Sequence, residues 1–356
     1  MAILNGHSGR DRPGPDFEEL QLDLQEKPRA KPEDSYGVAL DMGASHLRFV
    51  LANSYGEILG EAQERVRSED GPRGVIGQIR EGITRFASPG KALLGIAIGV
   101  PGAVDPHTGK VFNANNVPGW QEVDMGQELE AAFHAPVFLD NDANMAAIGE
   151  YWRGVARGID DFVFIALGTG IGAGVFVNGS ICRGRSGSAG EIFRMNVDWT
   201  RWNEDFPDTG HLETYASGMG IAAQGRRVLP NGGGPGASPT LADERDARYV
   251  FHALDRGDPQ ARVLVHDSFE MLGVAVANVV SVLDPDLIVF NGGIVRGAPE
   301  LLLETVGRVV RRIHPHPPSI QLSTLGDKAQ IWGALHTLLE PKRQPAIRAS
   351  QGILRR

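Results

Sequence analysis

The chain reads as an α/β protein built from two similar halves that face one another across a cleft. Three observations predict this. Two glycine loops, Asp41-Met-Gly-Ala-Ser45 and Gly168-Thr-Gly-Ile-Gly-Ala-Gly174, each lie between two apolar strand-like runs. Behind each hairpin the pattern passes to helical spacing and then to another buried-strand run, so the second half echoes the first. The length, 356 residues, is enough for two cores.

The placement of the loops limits what they can bind. A dinucleotide-binding glycine loop opens a helix, whose N-terminal dipole faces the pyrophosphate. Here Val38-Ala-Leu-Asp41 enters the first loop and Leu47-Arg-Phe-Val-Leu51 leaves it, while Phe162-Val-Phe-Ile-Ala-Leu167 enters the second and Val175-Phe-Val177 leaves it. Both read as strand, tight turn, strand, with backbone amides able to cradle phosphate oxygens. One such hairpin is ordinary; two, well separated along one chain, point to a nucleotide clamp.

The other elements follow in order. Residues 1–35 are polar and rich in Pro and charge, with a short acidic amphipathic piece around Phe17, Leu20 and Leu24, and read as a flexible extension. A helix is predicted near 75–86 from the apolar face Val75, Ile76, Ile79, Ile83 and Phe86. Residues 93–100 form a buried-strand run ending at Pro101-Gly102, and 125–133 a short helix. A strand over 137–139 ends at Asp140-Asn141-Asp142, and helical spacing resumes over 144–157. After the second hairpin come a loop-rich region, 184–210, and a glycine- and proline-rich surface insertion, 230–239. A helix over 259–283, a strand over 287–290, the turn Asn291-Gly-Gly293 and a helix over 330–339 close the fold.

Composition excludes several classes. Hydrophobic residues make up 42% and charged residues 22%, as in ordinary globular proteins. A formal net charge of −9 argues against nucleic acid or an acidic membrane as partner, and Arg308, Arg311, Arg312, Arg355 and Arg356 are too few to reverse that. Cys182 is the single cysteine, so no internal disulfide forms and a reducing cytoplasm is expected. The first seven residues lack the basic and apolar regions of a secretion signal, and the apolar run 271–283 is too short to span a bilayer.

The order of these motifs resembles the ROK family of sugar kinases and sugar-responsive regulators, within the actin-like ATPase fold. The resemblance runs from about Tyr36 to Leu339. It rests on Asp41-Met-Gly-Ala-Ser45, Gly99-Val-Pro-Gly102, Asn116-Val-Pro-Gly-Trp120, Asn141-Asp-Ala-Asn144, residues 168–174, Gly190-Glu-Ile192, Leu212-Glu-Thr-Tyr-Ala-Ser-Gly218 and Asn291-Gly-Gly293. It implies a two-lobed, duplicated ribonuclease H-like fold, with ATP and Mg²⁺ in the interlobe cleft and a sugar pocket beneath the γ-phosphate. In its terms the N-terminal lobe spans 36–140 and is rejoined by a helix at about 328–340, the C-terminal lobe spans 141–327, and 341–356 is a tail.

Phosphoryl transfer to an alcohol needs a carboxylate in reach of the hydroxyl, to orient it and accept its proton. Asp142, at a turn after a predicted strand, is expected to be that base; a helix N-cap is the alternative. Asn116 and Asn141 are expected at sugar hydroxyls, although Asn141 could instead satisfy the turn backbone. Asp41 resembles the acid near the metal-bound phosphate, or else caps its turn. Gly43, Ser45, Gly168, Thr169 and Gly170 would line the phosphates. Gly292 and Gly293 would let backbone approach adenine and ribose, or simply form a strand-end turn. Glu191 and Glu213 match the family's sugar-binding carboxylates, fixed acceptors for a polyol, where a solvated surface acid is the plain reading.

Two departures from the family pattern matter. The family places a His after Glu-Ile-Gly, touching both sugar and a structural zinc, where this chain reads Glu191-Ile-Phe-Arg194. The positions expected to carry zinc thiolates read Glu204, Phe206 and His211. No structural zinc is predicted, and Trp199, Trp202 and Phe206 are expected to pin that loop instead. Arg194, a permanent donor-only cation, is expected to fork onto Glu191 or Glu213 or to meet a substrate oxygen. Ordinary glucose is therefore not expected as the acceptor. The sequence reading is an ATP- and Mg²⁺-dependent kinase, with a homodimer expected, acting on a primary hydroxyl of a hexose-like sugar or a C7-cyclitol, a class the family phosphorylates in secondary metabolism. The rival is a sugar-responsive regulator without catalysis, against which residues 1–35 read as too short and acidic for a DNA-binding domain. A chaperone-like or cytoskeletal ATPase would leave Asn141, Asp142, Glu191 and Glu213 unexplained.

Overall fold

The computed structural model describes residues 35–43, 45–86, 90–114, 119–206, 210–229 and 246–340. The expected extension (apart from Ser35), the 230–239 insertion and the 341–356 tail lie outside them. The first half runs β1 (Ser35–Met42), β2 (His46–Asn53), β3 (Ile58–Arg65), α1 (Gly71–Arg85), β4 (Ala92–Val100), a small three-stranded sheet of β5 (Val104–Asp105), β6 (Lys110–Asn113) and β7 (Gln121–Val123), then α2 (Met125–Phe133), β8 (Val137–Asn141) and α3 (Asp142–Arg153). The second runs β9 (Phe162–Leu167), β10 (Ile171–Val177), β11 (Ser180–Ile181), α4 (His211–Ala216), α5 (Gly218–Val228), α6 (Arg248–Asp255), α7 (Pro259–Leu283), β12 (Leu287–Asn291), α8 (Gly293–Gly297), α9 (Pro299–Ile313), β13 (Ser319–Leu322) and α10 (Ala329–Leu339).

The duplication is exact in order. One five-stranded sheet is ordered β3-β2-β1-β4-β8 and the other β11-β10-β9-β12-β13. In each, the hairpin and the strand after it pair antiparallel, and the next two strands add on parallel. Both glycine loops are hairpin turns, with Met42 opposite Leu47 and Leu167 opposite Ile171. This is the two-lobed actin-like fold.

Strands buried on both faces read as continuous apolar runs rather than alternating ones. Val38, Leu40 and Met42 of β1 face an outer core with Val75, Ile79 and Ile83 of α1, while Ala39 faces inward. The inner core joins the lobes: Ala39, Val50, Ala97 and Phe138 of the first sheet and Phe162, Phe164, Phe176 and Val289 of the second close on α3 and α10. These two helices cross backbone to backbone. A Cβ on Gly149 would lie 2.0 Å from the Ala329 carbonyl oxygen, and one on Gly333 1.7 Å from that of Met145. The crossing therefore admits glycine only, and it fixes the floor between the lobes.

Some boundaries differ from the sequence expectations. Helix α1 starts at Gly71 rather than 75, because Pro72 sets the first turn before the apolar face begins. Helix α3 starts at Asp142 and ends at Arg153 rather than covering 144–157; Asn141 caps it and Gly154 follows it in an extended conformation. Helix α7 is long and apolar enough to cross a bilayer, contrary to the length expected from 271–283 alone, yet Leu264, Val265, Phe269, Leu272 and Val276 bury it in the second core.

Candidate active site

The turn that carries the candidate base is built by the end of β8. Asn141 is the N-cap of α3: its side-chain oxygen accepts from the amides of Ala143 (2.9 Å) and Asn144 (3.4 Å), and its Nδ2 donates to the Gly102 carbonyl at 3.0 Å. The side chain expected at a sugar hydroxyl is thus committed to the turn and to the neighbouring loop. The same capping frees Asp142 from that task. Asp142 is the first helical residue, part-exposed, with one oxygen accepting from the Ala143 amide at 2.8 Å. Burial pushes its carboxyl up to about 6, opposed by bonds from the amides of Ala143 and of Asp142 itself.

Asp41 ends β1 beside it. Burial first, then the charge of Asp142, pushes Asp41 up to about 7; Arg48 opposes and Asp327 adds to the rise. The Gln330 amide, turned so that nitrogen faces the acid, lies 2.8 Å from both Asp41 oxygens. Gln330 is a site contact the sequence reading missed, since nothing local marks a helix-start glutamine as facing a strand 289 residues away. A buried carboxylate with its affinity for protons raised this far suits a Mg²⁺ ion or its water shell.

The two glycine hairpin turns expected at the phosphates lie at the ends of β1 and β9. The Gly43 amide donates to the His46 carbonyl at 2.9 Å, and Ser45 is exposed at the first turn. In the second turn Gly168 and Gly170 close on each other at 3.0 Å, with Thr169 exposed. The start of α5 braces that turn, the amides of Gly218 and Met219 donating to the carbonyls of Gly168 (2.9 Å) and Thr169 (3.1 Å). Gly292 and Gly293 open α8. A Cβ on Gly292 would stand 2.1 Å from the Leu167 carbonyl oxygen, so packing on β9 already accounts for that glycine, while Gly293 faces open space.

Glu191 and Glu213 come from separate turns to the same place. Gly190 holds φ +91°, and a Cβ there would lie 2.2 Å from the Ala173 carbonyl oxygen, so the chain turns tightly against β10 immediately before Glu191. Burial raises the Glu191 carboxyl; Arg194 pulls it down, and Asp142 and Glu213 push it further up. Glu213, on α4, accepts from the Ile171 amide at 2.7 Å, and its carboxyl is also raised by burial. The charges of Asp142, Glu191 and Glu213 thus act on one another. Asn116 lies outside the described residues.

Two expectations about the neighbouring loop are corrected. Arg194 is exposed and, among the described residues, forms an ion pair with neither Glu191 nor Glu213; its guanidinium lies over the Phe193 ring at 5.0 Å. Trp199 and Trp202 do not pin the loop, being 82% and 77% exposed. What holds it is smaller. Phe206 meets His211 edge-on at 5.2 Å, His211 contacts Tyr215, and Arg201 lies over Tyr215 and forks onto Glu204. These residues do not fit a structural zinc. Glu204 is taken by Arg201, Phe206 has no ligand atom, and His211, its pKa lowered by burial and then by Arg201, offers one buried Nε2 alone.

The ROK family model matches residues 37–340. A glucokinase from Halalkalibacterium halodurans is 33% identical over 288 residues, 76% of this chain and 83% of that protein. A putative xylose repressor from a Caldicellulosiruptor species is 29% identical over 310 residues, 84% of this chain and 76% of that protein. Among solved structures, a ROK family glucokinase from Streptomyces griseus in complex with glucose and AMPPNP aligns with a TM-score of 0.68 at 27% identity, covering 85% of this chain and 98% of that one. With the family model covering residues 37–340, this chain belongs to the ROK family.

Proposed function

We propose that this protein is an ATP-dependent phosphotransferase acting on a primary hydroxyl of a hexose-like sugar or cyclitol, with Asp142 as general base. The observation that carries the reading is a carboxylate at the start of α3 that, among the described residues, is neither the N-cap nor paired with a cation, beside Asp41 and within electrostatic reach of Glu191. Asp142 orients the hydroxyl and takes its proton as the oxygen attacks the γ-phosphorus and ADP leaves. Glu191 and Glu213 accept hydrogen bonds from ring hydroxyls. The exposed hairpin tips at Ser45 and Thr169 face the phosphates, and Asp41 would hold Mg²⁺ or its water; that cation, when bound, neutralises phosphate charge. Lobe closure over the α3–α10 crossing excludes water, which would otherwise consume the activated phosphate.

Arg194 supports a ring other than ordinary glucose. At the place of an imidazole that both gives and takes hydrogen bonds, it offers donors only. The test is an ADP-release screen over hexoses, amino sugars and C7-cyclitols, with Asp142→Asn as control. Turnover of a polyol that the control abolishes supports the kinase, and a clear preference for glucose removes the cyclitol refinement.

One observation favours a second reading: the similarity to xylose repressors spans 84% of this chain. A sugar-binding regulator would bind polyol and show no turnover with any of them.

A further inference from the structure

Beneath the catalytic turn lies an ion pair that nothing in the sequence reading anticipated. Asp140, 4% exposed, directs one oxygen at the Asn141 amide (2.9 Å) and Asn144 Nδ2 (2.8 Å). Its other oxygen accepts from both Nε (2.8 Å) and Nη2 (2.7 Å) of Arg183. Arg183 belongs to the opposite lobe, two residues past β11, and begins the segment that leads to Glu191. The Arg183 carbonyl accepts the Ala189 amide at 3.1 Å, and a Cβ on Gly187 would lie 2.4 Å from the Val104 carbonyl oxygen of the small sheet. Residues 183–191 therefore form a strap seated on both halves, with Asp142 at one anchor and Glu191 at the other end. Beside the pair is a cavity of about 10 Å³ lined by Pro106, Phe138, Met145 and Thr337, no larger than a single water. Asp140 is buried in the pair, while the Arg183 side chain keeps 17% of its surface exposed.

We propose that Arg183 is a positioning residue that locks the Asp140–Asp142 turn to the strap carrying Glu191, so that the polyol and the base which deprotonates it are held in one register. This rests on the kinase reading of Asp142, and its test is chosen to separate the two. A buried ion pair broken on one side leaves an orphan charge, whereas replacing both partners removes that penalty. A merely structural pair would then be dispensable; a positioning pair would not.

The experiment compares wild type, Arg183→Met and the double variant Asp140→Asn/Arg183→Met. Arg183→Met is expected to lower the melting temperature and to cost ~100-fold in kcat, as a misplaced reacting group does, with the polyol KM raised and the MgATP KM little changed. The double variant is expected to regain the melting temperature while its kcat stays low. Recovery of kcat together with stability would overturn the proposal. Amide hydrogen exchange on the ligand-free proteins gives a readout independent of turnover. The amides of Ala143, Asn144 and Ala189 are expected to exchange faster together in the double variant, and unchanged protection at all three would overturn the coupling. A wild type that turns over no polyol, together with this joint loss of protection in the double variant, would sink the kinase reading and leave the coupling standing.

Discussion

Asp142→Asn should make the protein more stable and nearly inactive at once. The asparagine keeps an oxygen for the Ala143 amide, so the start of α3 is preserved. Burial raises the Asp142 carboxyl from 3.8 to about 6, and a shift of that size corresponds to about 3 kcal/mol of penalty on the ionised folded state. This is an upper figure, because the side chain reaches cleft water. The sign follows from proton linkage. Between those two values the folded state holds a proton that the unfolded state has released, so unfolding free energy falls as pH rises. The penalty is complete above the folded value and absent below the unfolded one.

The variant should therefore be up to ~3 kcal/mol more stable than wild type at pH 8, and the advantage should vanish near pH 4. Its kcat should fall by ~10²–10⁴, the usual contribution of a positioned general base. Denaturant unfolding at the two pH values and steady-state ADP release measure both quantities. A variant less stable than wild type at pH 8 would show that the carboxylate has a partner and a structural task. A kcat within tenfold of wild type would remove Asp142 from the chemistry.

Three further outcomes follow from the same geometry. With ionised Asp41 and Asp142 in their proposed roles, log kcat/KM for MgATP should bend downward as pH falls from about 7 and steepen below about 6, the two steps belonging to the pair; a single-proton limb throughout would contradict the pairing. Glu213→Gln keeps an acceptor for the Ile171 amide but loses a charged one, so the polyol KM should rise about tenfold, the worth of one charge-assisted hydrogen bond, with the MgATP KM unchanged. Gly190→Ala, forced to φ +91° with its Cβ 2.2 Å from a carbonyl oxygen, should cost at least ~2 kcal/mol in thermal or denaturant unfolding. An alanine variant as stable as wild type would mean the turn before Glu191 can relax.

The hairpins were legible because each loop is bracketed by runs too apolar to be anything but strands buried on both faces, and the halves repeat their order. Strand β3 was not legible: Ile58-Leu-Gly-Glu-Ala-Gln-Glu-Arg65 is a half-exposed edge with little apolar pattern. Helix α9 is readable, Leu302, Val306 and Val310 recurring every four residues, but its arginines read first as surface charge. Helices α4 and α5 are short and glycine-rich, and tertiary packing rather than local propensity sets them. At the site, residue types and order pointed to the acids, while hydrogen-bond partners did not show. The bond from Asn141 to Gly102 spans 39 residues and that from Arg183 to Asp140 spans 43, and no local spacing rule reaches so far. The fork from Arg194 onto Glu191 or Glu213 and the burial of the two tryptophans failed for the related reason that a side chain's type does not fix whether it turns inward.

The acids of this chain separate by partnership rather than by burial. Asp140 and Asp142 are two residues apart in one polar turn, and apart from the family resemblance no local pattern separates the acid held by a cation from the one that is not. The structure separates them. Asp140 is shut away with a forked arginine, an amide and a carboxamide on its two oxygens, which offset the desolvation of a buried carboxylate. Among the described residues, Asp41, Asp142, Glu191 and Glu213 have no such forked cation, and burial raises the carboxyl of each. Four carboxylates supplied by both halves of the chain, two of them raising the pKa of a third, are unfavourable without a ligand. A cation over phosphates at Asp41 and ring hydroxyls at the other three would relieve that cost on binding, so the strain measured in the empty protein should fall as MgATP and polyol fill the site. The coupling is then thermodynamic. Each ligand that relieves the shared charge lowers the cost met by the next, and the two should bind cooperatively.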